Sequence, residues 1–279
     1  MRRKKLFLLD MDGTIYLDDH VFSGTLPFLQ QVRAQGGRYL FLTNNSSRGV
    51  SDYVAKLARL GIPAVPEDFV TSVDAMISFL ERRYGPSEAR QKQIYLMGTE
   101  SFRRQMEDAG FRILTSLQAG ENDSPPDVVD ILIVGFDREL TFQKLEDASR
   151  LLKAGTEYFA TNPDWVCPTA WGAAPDCGSI CQMLEHATGR RPYFVGKPQP
   201  DMVYLALEKT GCGPEDAVLI GDRMYTDIAC GVNAGIDTIF VLSGEGTLED
   251  LETSDVRPTY ILNDIGEVFG KGTGNGNEA

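Results

Sequence analysis

Histidine is nearly absent from this chain. Its 279 residues include two, His20 and His186, which supply no His-x3-His spacing for a zinc site. So small a supply argues against a Ser-His-Asp or Cys-His hydrolase. Cysteine is scarce and odd in number: Cys167, Cys177, Cys181, Cys212 and Cys230. A scattered odd set reads as reduced thiols in a cytoplasmic setting, not as a disulfide framework. Cys177 and Cys181 have the spacing of one helix face, but two thiols make half a zinc site. Positive charge is short as well. Lys and Arg number 27 against 40 Asp and Glu, for a net charge of −13. That argues against a nucleic-acid partner, which needs a basic surface. It also means that any phosphate site must be made locally positive by a metal or a lysine. Long apolar runs are missing. None approaches the roughly 18 residues of a membrane span, so no membrane partner is expected. The run after the basic start Met1-Arg2-Arg3-Lys4-Lys5 is too short for a signal-peptide core. No internal repeat of solenoid period is present.

What is there is the make-up of a globular protein, 42% hydrophobic and 24% charged, long enough for two domains. The organising stretch is Leu6-Phe7-Leu8-Leu9-Asp10-Met11-Asp12-Gly13-Thr14. Four apolar residues in a row read as a strand buried on both faces. The run ends in two carboxylates at i and i+2, which share a side of an extended chain. Ligands of open α/β sheets bind beyond the carboxyl ends of strands, so Asp10 and Asp12 stand where chemistry sits. A strand, helix, strand, helix, strand rhythm follows to about residue 72, which signals a parallel doubly wound sheet. Residues 75–187 keep an α/β rhythm, with an acidic Pro-rich loop at 121–127, and read as an inserted second domain. The first pattern resumes with a strand at Tyr193-Phe194-Val195, followed by strands near residues 217–220, 238–242 and 260–262. The expected organisation is a core of residues 1–74 plus 188–270, an inserted α/β domain of residues 75–187 and a disordered tail at 271–279.

Four apolar strands end in polar residues of defined type: Asp10-x-Asp12, Thr43-Asn44, Lys197, and Asp222 with Asp227. Parallel strands align their carboxyl ends, so these groups can converge on one crevice. Three acidic residues with few His or Cys nearby describe a hard-cation site, most simply Mg²⁺. Lys197 supplies a point charge, and Thr43 and Asn44 supply directional donors. Phosphoryl transfer requires these parts: charge neutralisation, positioning and an in-line nucleophile. Taken singly, each group has a plainer reading. Asp10 to Gly13 reads as a strand and turn, Lys197 as a solvated lysine, Asp222 and Asp227 as charges at a helix start, and residues 161–164 as a turn. Their order along the chain favours the chemical reading.

This ordered set resembles the haloacid dehalogenase superfamily of aspartate-dependent phosphatases. Thr43-Asn44-Asn45, Ala160-Thr161-Asn162-Pro163-Asp164, Gly196-Lys197-Pro198 and Gly221-Asp222-Arg223-Met224-x-Thr226-Asp227-Ile228 resemble its NagD-like and 4-nitrophenyl phosphatase branch. The likeness runs from residue 6 to about 270. One departure is Pro175-Asp176-Cys177-Gly178-Ser179, where relatives more often have Pro-Gly before a small residue. The resemblance implies a Rossmann-like doubly wound core with an inserted α/β cap. It implies a Mg²⁺-dependent phosphomonoesterase for a small phosphorylated substrate, with a homodimer through the cap as one assembly it permits. Asp10 is implied as nucleophile, forming an aspartyl-phosphate, and Asp12 as the general acid and base. Thr43, Asn44 and Lys197 are implied as phosphoryl-binding groups. The implied metal ligands are the Asp10 and Asp222 carboxylates and the Asp12 carbonyl, with Asp227 orienting a metal-bound water or Lys197. Asn162, Asp164, Trp165, Trp171 and the loop at 172–181 are candidate cap contacts with the substrate. A phosphomutase or phosphotransferase on the same intermediate is the enzymatic alternative, and a phosphometabolite-binding sensor the non-enzymatic one.

Overall fold

The computed structural model describes residues 4–117, 128–169 and 171–270. The basic start at residues 1–3, the loop expected at 121–127 and the tail expected at 271–279 lie outside the described residues. In chain order the strands are β1 (Leu6–Leu9), β2 (Tyr16–Leu17), β3 (His20–Val21), β4 (Arg38–Thr43), β5 (Phe69–Thr71), β6 (Gln93–Met97), β7 (Arg112–Leu114), β8 (Ile131–Val134), β9 (Glu157–Ala160), β10 (Val166–Thr169), β11 (Gly172–Pro175), β12 (Tyr193–Phe194), β13 (Ala217–Gly221), β14 (Asp237–Val241) and β15 (Tyr260–Leu262).

Six strands form one parallel sheet in the order β15-β14-β13-β1-β4-β5. From β1 the chain winds one way through β4 and β5. It later returns to the other side of β1 for β13, β14 and β15. The winding reverses between β1 and β13, and a crevice opens at such a switch point. All four residues of β1 are buried. Phe7 and Leu9 pack on one face with Phe28, Leu29 and Val32 of the helix Thr25–Ala34. Leu6 and Leu8 pack on the other with Met202, Val203 and Ala206 of the helix Asp201–Thr210. Alternate residues therefore serve opposite cores, and a strand buried on both faces reads as an unbroken apolar run.

A second parallel sheet has the order β12-β9-β8-β6-β7. Four of its strands, β6 to β9, come from the stretch expected as an insertion, and the fifth corrects an expectation. The strand Tyr193–Phe194 does not resume the first sheet but pairs with β9, Tyr193 opposite Phe159. Two residues carry no periodicity from which to tell the sheets apart. The helix Ser72–Tyr84 is capped at its start by Thr71, which exchanges hydrogen bonds with Asp74. Val73, Met76 and Leu80 of that helix share one apolar cluster with Leu8 and Leu40 of the first sheet and Ile94 and Ile133 of the second. That helix is thus a wall common to both sheets. The hairpin of β10 and β11 lies where the sequence suggests only a loop. A π-helical turn, Met224–Ile228, precedes the short helix Ala229–Asn233, where a single helix is expected.

Candidate active site

Asp10 follows the last residue of β1, and its N–H donates to the Ile220 carbonyl of β13 at 2.9 Å. This sets it at the switch point. The chain then turns through Gly13 at φ +88°, a conformation that disfavours side chains. A Cβ on Gly13 would lie 2.4 Å from the Asp222 Oδ2, and one on Gly244 would lie 2.0 Å from the same atom. Two glycines thus let two loops close directly on one carboxylate. Asp222 accepts the Glu245 N–H at 2.7 Å and a long hydrogen bond from the Thr14 hydroxyl at 3.5 Å.

Lys197 is buried, and its Nζ donates to Asp10 Oδ1 at 2.5 Å, to Asp227 Oδ1 at 2.6 Å and to the Leu42 carbonyl at 3.3 Å. Asp227 Oδ2 accepts the Arg223 N–H at 3.0 Å. Carboxylate oxygens of Asp10, Asp222 and Asp227 lie within 4.8 Å of one another. Three carboxylates around one ammonium leave excess negative charge in a dry place. Burial, and next the charge of Asp227, push Asp10 well above the usual carboxylate range. The same two causes push Asp222 up to about 7. Burial disfavours the Lys197 cation, but Asp10 and Asp227 overcome it and hold its ammonium above the ordinary lysine value. Hard oxygen donors with unbalanced charge suit a small divalent cation, so the triad fits the expected metal.

The other expected residues take different places. The Asp12 side chain is turned from the triad. It accepts Tyr16 Oη at 3.4 Å and Lys56 Nζ at 3.5 Å, and that ammonium sits 3.9 Å over the Tyr16 ring. Thr43 lines the cleft, and its hydroxyl accepts the Asn45 N–H at 3.2 Å. The Asn44 side chain is engaged within the protein. Its Oδ1 accepts the Lys197 N–H at 2.9 Å, and its Nδ2 donates to the Lys197 carbonyl at 3.0 Å and to Asp164 at 2.9 Å. The side chain is therefore a clamp on the lysine backbone.

Asn162 and Asp164 also line the cleft, but both are buried and bonded. Asp164 Oδ2 accepts Asn44 Nδ2 and, at 2.7 Å, Asn162 Nδ2. Its Oδ1 accepts the Arg223 guanidinium at 3.1 Å and Tyr225 Oη at 3.4 Å. This carboxylate joins the segment after β9 to loops of the first sheet. Trp165 and Trp171 are 52% and 74% exposed and do not line the cleft. Val166, Cys167 and Pro168 line it instead. Sequence reasoning missed Lys56, Tyr225 and Arg223 as parts of the site. Arg223 stood inside a quoted motif, but only the fold shows its partners. The cleft holds about 50 Å³. A larger groove of about 880 Å³ runs beside the helix Ser72–Tyr84. It contains none of the triad, so size does not mark the chemistry here.

A doubly wound parallel sheet with carboxylates and a buried lysine at its switch point defines an α/β protein with an acidic, metal-suited crevice. Comparison with known proteins agrees. A haloacid dehalogenase-like hydrolase family model matches residues 7–112, and a HAD-hydrolase-like model matches residues 194–268. An acid sugar phosphatase of Staphylococcus aureus is 33% identical over 270 residues, covering 96% of this chain and 98% of its own. The crystal structure of a 4-nitrophenylphosphatase from Thermotoga maritima is 40% identical with a TM-score of 0.83, covering 95% of each chain. A glycerol phosphate phosphatase from Mycobacterium tuberculosis, solved with magnesium, is 30% identical with a TM-score of 0.84, covering 95% of this chain and 76% of that one. The chain belongs to the haloacid dehalogenase-like hydrolases, in the NagD-like and 4-nitrophenyl phosphatase branch, and is a phosphatase.

Proposed function

We propose that the chain is a Mg²⁺-dependent phosphomonoesterase of small phosphorylated metabolites, sugar phosphates among them, working through an aspartyl-phosphate on Asp10. The observation that carries this reading is the contact of Lys197 with Asp10 and Asp227 beside Asp222, at the switch point. Asp10, Asp222 and Asp227 would hold the metal, which supplies charge neutralisation for the phosphoryl oxygens. Asp10 attacks phosphorus, while Lys197 orients its carboxylate and balances charge on the transferring group. Asp12 gives its proton to the leaving oxygen and then takes one from the hydrolytic water. Its side chain contacts Tyr16 and Lys56, which leaves its backbone carbonyl as the part that would meet the metal. Asn44 fixes the Lys197 backbone. The stretch between the helix Ser72–Tyr84 and Gly196 acts as a cap that closes the cleft and excludes water. The names of the sugar, 4-nitrophenyl and glycerol phosphate phosphatases support the substrate class, and the magnesium-bound relative supports the metal. The five free cysteines support a reducing compartment, and among the described residues no helix is long and apolar enough to cross a membrane.

The test is phosphate release from 4-nitrophenyl phosphate and a panel of sugar phosphates with water as the only acceptor. Asp10→Asn keeps the shape of the side chain and removes its charge. It is expected to lower kcat by at least about 10³-fold with the circular dichroism spectrum unchanged. Near wild-type kcat in that variant would falsify the mechanism. Turnover that requires an added sugar acceptor would indicate a phosphotransferase instead.

A further inference from the structure

The lining of the cleft contains a group that the proposed phosphoryl transfer does not use. Asp176, the departure from the usual Pro-Gly, lines the same cleft as Asp10 and Lys197 and is 4% exposed. Its Oδ1 accepts the Cys177 N–H at 2.5 Å, which caps the helix Cys177–Thr188, and Asn162 Nδ2 at 3.4 Å. Its Oδ2 has no hydrogen-bond partner among the described residues. That oxygen is not sealed from solvent, so a group that enters the cleft can reach it. The two cations that line the cleft are both occupied. Lys197 holds Asp10 and Asp227, while Arg223 holds Asp164 and Glu245. The wall that a leaving group meets therefore offers an acceptor and negative charge, with no free cation among its described residues.

We infer that Asp176 is a specificity-determining residue. Its free oxygen receives a hydroxyl of the leaving group, and its charge turns away a leaving group that carries a second anion. The inference rests on the phosphomonoesterase reading and narrows it to monoesters of neutral polyols. An anion seated here would face Asp176 and Asp164 in a medium that screens poorly, with no cation to receive it. Discrimination of this kind comes as much from repulsion as from new attraction. A site built to pair with a hydroxyl also rejects analogues that lack one.

The test compares, at about pH 8 where the Asp176 carboxyl is mostly ionised, kcat/KM for glycerol 3-phosphate with that for 3-phosphoglycerate, in which a carboxylate replaces the terminal CH2OH. The wild-type ratio is expected to be about 100 or more. Asp176→Asn and Asp176→Ser both keep a helix-capping side chain. Each is expected to lower the ratio at least about tenfold, with the gain on 3-phosphoglycerate as the larger part. Propyl phosphate, which has no hydroxyl, is expected to be at least about tenfold poorer than glycerol 3-phosphate in the wild type. A wild-type ratio near one overturns the inference, as does an unchanged ratio in both folded variants. If those results come with normal 4-nitrophenyl phosphate turnover, the inference alone fails. A wild type that hydrolyses none of these esters overturns the phosphomonoesterase reading with it.

Discussion

Asp176 also ties proton binding to stability. Burial, and then the charge of Asp164, push its carboxyl up to about 7, against about 3.9 in an unfolded chain. Between about pH 4 and 7 the folded protein therefore binds more protons than the unfolded one, so this group's contribution falls as pH rises through that window. Asp176→Asn keeps the cap and cannot ionise. In urea unfolding, the stability of the variant relative to wild type is expected to rise by about 2 kcal/mol from pH 5 to pH 8. A flat difference would mean that the carboxyl is ionised throughout. Single residues were legible in the sequence where a strand end forced the issue. Asp10, Lys197, Asp222 and Asp227 each follow or face such an end, and the fold brings them together. Asn44 stands at a strand end too, yet its amide grips a peptide 153 residues away, and no spacing rule encodes that.

At the scale of elements, two loops are tied into a ring around the triad. Glu245 offers its N–H to Asp222, Arg223 offers its N–H to Asp227, and their side chains meet at 2.8 Å. Arg223→Gln should loosen both carboxylates at once. We expect the protection that Mg²⁺ gives against thermal unfolding to need about three- to tenfold more metal in this variant. An identical dependence of Tm on Mg²⁺ would show that the ring does not matter to the metal. Gly13→Ala should be harsher, because its Cβ would displace Asp222 from a backbone held at positive φ. Loss of the Mg²⁺-induced rise in Tm is the expected sign, and a full rise would contradict it. The long strands and helices of the first sheet were legible from apolar runs and glycine stops. The hairpin of β10 and β11 was not, because Pro168, Gly172 and Pro175 are poor strand residues. The strand Tyr193–Phe194 was visible, but its sheet was not.

At the scale of the whole molecule, charge favours the proposed metal. The chain carries a net charge of −13, and the triad exceeds its lysine by two charges when all three carboxylates are ionised. Chelation with EDTA should abolish turnover, and excess Mg²⁺ should restore it. Full turnover in excess EDTA would remove the metal from the mechanism. Ca²⁺ should restore little, since its longer and looser coordination misplaces the phosphoryl group against Asp10. The second sheet was legible as an extra α/β rhythm between Thr43 and Lys197. Its shared wall with the core was not, because the cluster joining Leu8, Met76 and Ile133 is a long-range event. Asp164 lines the cleft and is held at once by Asn44 and Arg223. A movement that widened the cleft between these segments would part the Asp164 contacts to Asn44 and Arg223. The four groups that bond it, Asn44, Asn162, Arg223 and Tyr225, form a latch between the segment after β9 and the loops of the first sheet, and Asp164 is its single pin.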